Sequence, residues 1–549
     1  MGDGIALANS SDLGEPLELI ADVLVIGGGP AGAWAAWSAA SRGARVVLAD
    51  KGYLGSSGAA ASGGMTLWHS EPDADSRERA KENRRKVDGL LSDLGWMDRV
   101  LEQTYQNVRR IEQFGYPFPT DAEGNIRRES LQGPEYLRTM RRVVKDAKVT
   151  VLDQSPALEL LLDADGVVAG ARGVQRQENR FWTVRAGAVV IATGGCAFLS
   201  KSLGCNVLTG DGALMAAEAG SAFSGMEFSN HYAPSLPFAS VTKGLMLGWA
   251  TYSREDGTVI AGRGRGPGGN PLGAALLEGP VYAILDKADP EFRKIMRTAQ
   301  PNFFVPFDRS GIDPFTQRFP LKLRLEGTVR GTGGLQIAGP NCETTVPGLY
   351  AAGDAASREI IAGGVSGGGA LNAAWSMSSG YWSGAGAAAY AKSLGGRVHT
   401  RTVRGVGRAA LRPQGYEAGL DSSEIVSQVQ QEVFPYDRNL FRTGPKLTAS
   451  LERLHALWPQ VLAHEPSTLR GLIRAREAAA MVAHARWMYA SALERTESRG
   501  MHVRLDYPDL DPRQQHRLIS YGLDRVSVRL ERLTSAALAP ENEKELVAA

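Results

Sequence analysis

The chain has 549 residues, 43% of them hydrophobic and 22% charged, which is long enough for two or three domains with buried cores. Its 61 basic and 59 acidic residues nearly cancel to a net charge of +2, which argues against nucleic acid or an anionic membrane as a partner. No apolar run approaches the length of a transmembrane helix, and residues 1–16 lack a signal-peptide core, so we expect a cytoplasmic protein without a transmembrane segment.

The first predicted element is a buried strand that runs into a glycine-rich turn. Val23–Ile26 is an apolar run, and Gly27-x-Gly29-x-x-Gly32 follows it and opens an alanine-rich helix. In this pattern the first glycine makes a tight turn, the second lets the backbone approach a pyrophosphate, and the third lets the helix pack closely on the strand. The pyrophosphate would lie at the helix N-terminus. The segment therefore predicts a dinucleotide site.

The second predicted strand, residues 44–49, ends at Asp50, eighteen residues after Gly32. An acidic side chain at this place accepts hydrogen bonds from the adenosine ribose hydroxyls, which favours a 2′-hydroxyl over a 2′-phosphate. The helical, charged stretch 76–114 that follows is expected to form a solvated face. The glycine pattern alone does not distinguish FAD from NAD.

Two later segments favour FAD. Residues 186–195 form a buried strand and a glycine turn, of the kind that returns beneath the dinucleotide in FAD proteins. Gly348–Asp354 repeats the pattern and places Asp354 to bind ribitol hydroxyls. Ser366–Asn372 then precedes an Ala/Ser-rich helix, whose first N–H groups would point at the flavin N1/C2 carbonyl edge.

These segments supply the predicted cofactor-binding residues. They are Gly27, Gly29, Pro30, Ala31, Gly32, Asp50, Lys51, Ser56, Ser57, Gly58, Gly63, Gly64, Ala192, Thr193, Gly194, Asp211, Gly353, Asp354, Ala370 and Asn372.

The three cysteines, Cys196, Cys205 and Cys342, are too scattered for a CxxC metal site or a disulfide framework. No metal site is predicted, and an iron–sulfur cluster within this chain is not expected. If electrons pass through such a cluster, another subunit carries it.

Several motifs, in order along almost the whole chain, resemble those of the fumarate reductase and succinate dehydrogenase flavoprotein superfamily, which also includes L-aspartate oxidase and the flavin subunit of adenylylsulfate reductase. The motifs are Gly55–Gly64, Leu208–Gly212, Gly348–Gly380, Arg442–Gly444, Glu494–His502 and Asp506–Asp511.

The resemblance implies an α/β fold with a Rossmann-like FAD-binding domain, an inserted α+β capping domain and a C-terminal helical domain. The FAD-binding domain would comprise residues 1–230 and 335–405, the capping domain 231–334 and the helical domain 406–549. Helical spacing of apolar residues from Ser423 onward, and above all in Thr468–Glu497, fits the last of these.

The chain departs from the family at residues that matter for chemistry. Many relatives carry a histidine that is bonded covalently to the flavin, but Ser57 stands at that place here, so FAD is predicted to be noncovalent. Fumarate reductases use an arginine of the cap as proton donor, a second arginine before the final flavin helix, and histidines that hold a dicarboxylate. None of the three is recognisable here, in residues 271–280, near Gly367, or at Val329 and Arg330. Succinate and fumarate are therefore not the expected substrates.

The predicted catalytic residues are His231, Tyr232, Arg265 and Arg330. His231 is a candidate general acid or base because its ordinary pKa lies near working pH, with a hydrogen-bonded structural role as an equal alternative. Either His231 or the next residue, Tyr232, is expected to face the flavin.

Several arginines in or beside the capping domain could clamp an anion or could simply lie at the surface. They are Arg254, Arg263, Arg265, Arg324 and Arg330. Arg499 and His502 of the C-terminal motif could reach the active-site region or serve the fold.

No second GxGxxG turn marks an NAD(P)H domain, so electrons must come from a ferredoxin-like iron–sulfur partner, from dioxygen or from a second small substrate. The predicted function is that of an FAD-dependent oxidoreductase, a dehydrogenase or reductase that transfers a hydride between flavin N5 and a small polar or anionic substrate, with the iron–sulfur partner as the leading electron route. The alternatives are an oxidase of an amine or hydroxy acid that uses dioxygen, and an electron-relay flavoprotein subunit of a complex. Assembly into an oligomer is left open.

Overall fold

The computed structural model describes residues 13–121, 123–242, 244–261, 270–414 and 421–533. Its central sheet has the strand order β16-β6-β7-β8-β1-β2-β5, and β15 also pairs with β8. The strands are β1 (Leu17–Ile26), β2 (Val46–Ala49), β5 (Thr150–Leu152), β6 (Ala157–Leu162), β7 (Val168–Gln175), β8 (Arg180–Ile191), β15 (Leu349–Ala351) and β16 (Arg404–Gly405).

The strands β15, β8, β1, β2 and β5 pair in parallel, whereas β16, β6 and β7 add an antiparallel flank. The end of β1, Val23–Ile26, is wholly buried, as expected of a parallel strand that is covered on both faces. Parallel strands direct their carboxyl ends to one edge of a sheet. The turns after β1, β2, β8 and β15 therefore meet there, and this edge is where open α/β sheets bind ligands.

Helices flank the sheets and fill the C-terminal region. They are α1 (Pro30–Ala40), α2 (Ala74–Arg85), α3 (Leu94–Gln113), α4 (Gly133–Asp146), α5 (Asp211–Glu218), α6 (Pro271–Glu278), α7 (Pro290–Ala299), α8 (Pro301–Ser310), α9 (Glu359–Ala362), α10 (Gly368–Leu394), α11 (Arg397–Thr400), α12 (Ser422–Val433), α13 (Gly444–Ala463) and α14 (Leu469–Glu494).

The long helix α10 lies directly against α1. A Cβ on Gly380 would come within 2.3 Å of the Ala31 carbonyl oxygen, and one on Gly384 within 2.2 Å of the Ala35 oxygen. The two glycines therefore allow the backbones to touch. This contact places the middle of α10 beside the start of α1.

A second sheet, of order β10-β13-β12-β11, is antiparallel and has its own phenylalanine-rich core with α8. Its strands are β10 (His231–Ser235), β11 (Thr251–Arg254), β12 (Val281–Ile284) and β13 (Phe319–Gly327). Together with α6, α7 and α8 it occupies the segment predicted to be the α+β cap. The pairing of β10 with β13 is irregular between His231 and Tyr232.

The C-terminal region is helical over α12, α13 and α14, as predicted, but it then ends in a hairpin that the sequence pattern did not reveal. The hairpin strands are β17 (His516–Tyr521) and β18 (Ser527–Arg532), in a sheet with β9 (Phe223–Ser224) and β14 (Gly334–Leu335). A short pair, β3 (Gly64–Thr66) and β4 (Ser130–Gln132), completes the strands of the described residues. In the same residues, no helix has the length and apolar character needed to cross a membrane.

Candidate functional site

A cavity of about 1130 Å³ lies at the carboxyl edge of the central sheet. The turn after β1, the turn after β2, the end of β8 and the start of α10 all line it, together with residues of the second sheet and of α14. Of the predicted cofactor-binding residues, all but Gly32 and Gly63 line this one cavity. The structure thus brings together segments that are three hundred residues apart.

The glycine turn has the geometry that a dinucleotide requires. Gly27 has φ +109°, and a Cβ there would lie 2.3 Å from the Ala192 carbonyl oxygen. A Cβ on Gly32 would lie 1.7 Å from the Gly27 oxygen, so helix and strand touch at this point. A Cβ on Gly29 would meet nothing within 4 Å, which leaves open space at the N-terminus of α1. This space suits a pyrophosphate.

Two buried polar atoms on the cavity wall also suit a bound polar group. The side-chain oxygens Oγ1 of Thr193 and Oδ1 of Asn372 are buried and have no hydrogen-bond partner among the described residues. Buried polar atoms in native proteins are almost always satisfied. A ligand with hydrogen-bond donors would satisfy both of them.

Asp50 is held rigidly at the end of β2. Its Oδ2 accepts a hydrogen bond from the Gly28 N–H at 2.6 Å, and its Oδ1 accepts from the Gly52 N–H at 2.7 Å and from the Ser57 hydroxyl at 2.8 Å. A carboxylate has about four acceptor positions, so one is left for a ribose hydroxyl. Ser57 also accepts from the Tyr53 N–H at 2.8 Å and thereby braces the acid.

Asp354 has a partner that no motif indicated. The wholly buried Arg358 forms an ion pair with it and donates to the backbone oxygens of Thr328, at 2.8 Å, and Gly331. Burial lowers the pKa of Arg358, and the Asp354 carboxylate opposes this shift. Arg358 thus orients Asp354 at the cavity wall. In the sequence, Arg358 is marked only by its place four residues after Asp354.

The loop before α10 is held by another arginine. Arg84 of α2 donates to the carbonyl oxygens of Ala362, Val365 and Ser366 at 3.2–3.4 Å. These contacts fix the loop that leads into α10, whose residues Ala370 and Asn372 line the cavity.

On the side of the second sheet, Arg330 and Thr242 line the cavity. The Arg330 guanidinium lies beside the start of α10, since its Nη2 is 3.9 Å from the position of a Cβ on Gly369. Behind both residues lies Glu326, whose side chain is completely buried. Its Oε1 accepts from the Thr242 hydroxyl at 2.7 Å, and its Oε2 is 3.7 Å from Nη1 of Arg330. Glu326 belongs to none of the recognised motifs.

His231 lies behind the cavity wall. Its side chain is 4% exposed, and its Nε2 is 3.6 Å from Oε2 of Glu326, the carboxylate oxygen that Arg330 also approaches. Tyr232 points away from the cavity: its hydroxyl donates to the Val433 carbonyl oxygen at 2.7 Å, and burial raises its pKa well above the ordinary value. The geometry therefore corrects the expectation that Tyr232 could face the flavin.

The other arginines that the structure describes in the cap segment do not line the cavity. Arg254 forms an ion pair with Glu278 at 2.5 Å on the surface. Arg324 donates to the backbone oxygens of Ser200 and Ala239, each at 2.7 Å. Arg263 and Arg265 fall outside the described residues.

Comparisons with known proteins identify the family. Residues 22–269 match the FAD binding domain family, and residues 430–544 match the fumarate reductase flavoprotein C-terminal family. The chain is 25% identical to a fumarate reductase flavoprotein subunit of Mycobacterium tuberculosis, over 89% of this chain and 92% of that protein. It is 26% identical to an L-aspartate oxidase of Streptomyces coelicolor, over 92% of each chain.

The chain carries an FAD binding domain and a fumarate reductase flavoprotein C-terminal domain, and its relatives are fumarate reductase flavoproteins and L-aspartate oxidases. FAD is its cofactor, and it is an oxidoreductase.

Solved structures of the superfamily share the fold. E. coli quinol fumarate reductase matches with a TM-score of 0.77 and 20% identity, over 96% of this chain and 99% of that one. Adenylylsulfate reductase of Archaeoglobus fulgidus matches with a TM-score of 0.75 and 17% identity, over 98% of this chain and 100% of that one. The α/β fold with a helical C-terminal region is thereby confirmed.

The C-terminal motif of the superfamily forms a buried charged network here. Arg495 is fully buried and pairs with Glu227 and Glu497 at 2.8 and 2.9 Å. Arg499 pairs with Glu497 at 2.6 Å. Nδ1 of His502 lies 2.7 Å from the Arg442 guanidinium, and burial lowers its pKa well below the ordinary value, with Arg442 and Arg495 adding to the effect. Neither Arg499 nor His502 lines the cavity, and both belong to this buried network.

Proposed function

We propose that this protein holds FAD noncovalently in the cavity and transfers a hydride to or from a small polar or anionic substrate bound beside Arg330. When bound, FAD supplies the hydride acceptor or donor at its N5 atom. The observation that carries the proposal is that Arg330 and the cofactor-binding residues line one continuous cavity. The predicted domain boundaries are consistent with this arrangement, because the wall that holds Arg330 is built by the proposed cap, residues 231–334.

Arg330 is the residue we assign to the substrate. A guanidinium donates charge-assisted, bidentate hydrogen bonds to a carboxylate or similar anion. The buried carboxylate of Glu326 holds Thr242 through Oε1 and Arg330 through Oε2, and Nε2 of His231 lies 3.6 Å from the same Oε2. We therefore place Arg330 in contact with substrate and give Glu326 and His231 positioning roles. The candidate Arg265 keeps its proposed role as a second anion contact.

Noncovalent attachment follows from the residue at position 57. The Ser57 hydroxyl bonds to Asp50 and to the backbone at Tyr53, and it offers no imidazole nitrogen for a bond to the flavin. The residues near position 330 lack the dicarboxylate-binding histidine of fumarate reductases, so we propose a substrate other than succinate or fumarate. For the electron route we propose a ferredoxin-like iron–sulfur protein, because no second GxGxxG turn marks an NAD(P)H domain in the sequence and relatives with flavin subunits of this type include adenylylsulfate reductase.

The deciding experiment is anaerobic photoreduction of the purified yellow protein, followed by admission of air. The flavin spectrum and hydrogen peroxide are recorded over time. We expect the flavin to remain reduced for many minutes in air and to be reoxidised rapidly by added ferredoxin. Fast reoxidation with one peroxide per flavin would instead establish the oxidase alternative. Acid precipitation of the same sample should leave all of the yellow colour in the supernatant.

Replacement of Arg330 by glutamine should weaken binding of small anions. Each lost charge-assisted hydrogen bond costs about 1.5–3 kcal/mol, so dissociation constants should rise roughly ten- to a hundredfold. The constants are measured from flavin absorbance shifts with a panel of monocarboxylates, dicarboxylates, sulfite and phosphate. Arg330→Lys should retain part of the affinity, and Glu326→Gln should weaken binding less than Arg330→Gln.

The matched control is Arg254→Gln, since Arg254 lies in the same segment but outside the cavity. If Arg330→Gln and Arg254→Gln bound the anions with equal affinity, the assignment of Arg330 to the anion site would be wrong.

A further inference from the structure

The helix α14 of the C-terminal region reaches the cavity through one side chain, Glu477. Glu477 lies beyond both glycine-rich segments in the sequence and in none of the motifs that indicated FAD. Its Oε1 is 2.5 Å from the ammonium group of Lys51, which directly follows Asp50. The acid is thus placed next to the residue that marks the adenosine end of the predicted site.

The ammonium group of Lys51 contacts side chains from three segments of the chain. Besides Glu477, it contacts Oδ2 of Asp211, the first residue of α5, at 2.8 Å, and Oγ1 of Thr209 at 3.0 Å. All three charged side chains line the cavity and are about four-fifths buried. Two carboxylates thus surround one cation, and the cluster carries a net negative charge at the cavity wall.

A negative cluster of this kind suits the ribose and adenine of a dinucleotide. Carboxylate oxygens accept hydrogen bonds from hydroxyl and amino groups, whereas they repel phosphate. Since the pyrophosphate is expected at Gly29, the adenosine is expected on the side of Asp50 and therefore beside Lys51 and Glu477.

The docking of α14 does not depend on Glu477. The neighbouring residue, Arg476, forms a two-point ion pair with Glu218 at the other end of α5, at 2.7 and 2.6 Å. Both side chains are almost completely buried, and Arg476 also donates to the Ala409 carbonyl oxygen at 3.0 Å. Arg476 therefore holds the helix, which leaves the contact of Glu477 with Lys51 free to serve the cofactor site.

We propose that Glu477 closes the adenosine end of the FAD site by holding Lys51 against Asp211, so that the C-terminal region retains the cofactor. The proposal rests on FAD occupying this cavity with its adenosine at Asp50, and it is independent of the substrate and of the electron partner. It follows that FAD dissociates slowly while the contact between Lys51 and Glu477 is intact.

The test compares Glu477→Gln with the wild-type full-length chain. FAD is removed, and its dissociation constant and dissociation rate are measured by the change in flavin fluorescence. We expect the dissociation constant to rise roughly five- to fiftyfold, mostly through a faster dissociation rate, as expected for a lost charged contact. The unfolding midpoint of the FAD-free variant should equal that of the FAD-free wild type, whereas that of the FAD-bound variant should fall.

The matched control is Glu494→Gln, an exposed acid at the end of the same helix, which should bind FAD like the wild type. Lys51→Met should weaken FAD binding, and adding Glu477→Gln to it should have little further effect because the pair acts as a unit. An unchanged dissociation rate in Glu477→Gln would overturn the proposal, as would an equal loss of stability with and without FAD. A wild-type protein that binds no FAD would instead contradict the proposed function.

Discussion

Gly29→Val should abolish FAD binding and leave the fold intact, whereas Gly32→Val should prevent the FAD-binding domain from folding. Gly29 has φ −71°, which any residue adopts, and a Cβ there enters open space where the pyrophosphate is expected. A Cβ on Gly32 would overlap the Gly27 carbonyl oxygen at 1.7 Å, and the helix cannot move away from the strand without opening the core. Flavin content and circular dichroism of the purified variants separate the two effects.

The informative control is Gly43→Ala, in the turn after α1, where a Cβ meets nothing within 4 Å and which does not line the cavity. It should bind FAD normally, with only the small cost of a positive φ. Full flavin occupancy in Gly29→Val would show that the pyrophosphate lies elsewhere.

Arg495→Met should destabilise the protein by about 3–5 kcal/mol, the usual cost of removing one partner of a buried ion pair. Arg495 donates to Glu227 and Glu497 and to the backbone oxygens of Gln514 and His516, at 2.8–3.0 Å. Glu497 keeps Arg499 as a partner, but Glu227 loses its only close ion pair in the described structure. Equilibrium unfolding in urea, with FAD present at a fixed concentration, measures the change.

Arg513→Met is the control for Arg495→Met, because Arg513 pairs with Asp511 at 3.0 Å with a side chain that is 90% exposed. Exposed pairs contribute little, so no measurable change is expected there. If Arg495→Met lost as little free energy of unfolding as the control, the prediction would be wrong. The Glu227 carboxyl would then be hydrated or protonated in the variant at no cost in stability.

The parts of the site that follow one another in the sequence were predictable. The turn at Gly27–Gly32 and the acid at Asp50 depend on local spacing, and all but Gly32 of the predicted residues in these two segments line the cavity. Arg358, Glu326 and Glu477 were not predictable, since each acts through contacts with segments that are distant in sequence or carry no motif. The roles of these three residues become visible only when the folded structure shows which distant segments they contact.

The pair His231 and Tyr232 shows a second limit. Neighbouring strand residues point to opposite faces, so a shift of one residue exchanges their environments. The irregular pairing of β10 with β13 falls between these two residues, and Tyr232 is directed toward the C-terminal helices. The hairpin of β17 and β18 was missed for a related reason. Its strands carry several charged residues, and it is held by pairing with the distant β9.

The contact between α1 and α10 also has a consequence for biosynthesis. The glycine turn emerges early from the ribosome, but the helix that packs on it ends at Leu394, and β15 must pair with β8 before the cavity wall is complete. Domains generally fold as units during synthesis, and an incomplete unit exposes apolar surface. Most of the chain must therefore be translated before cofactor can be captured, and nascent chains that stall before α10 would be targets for chaperones rather than carriers of flavin.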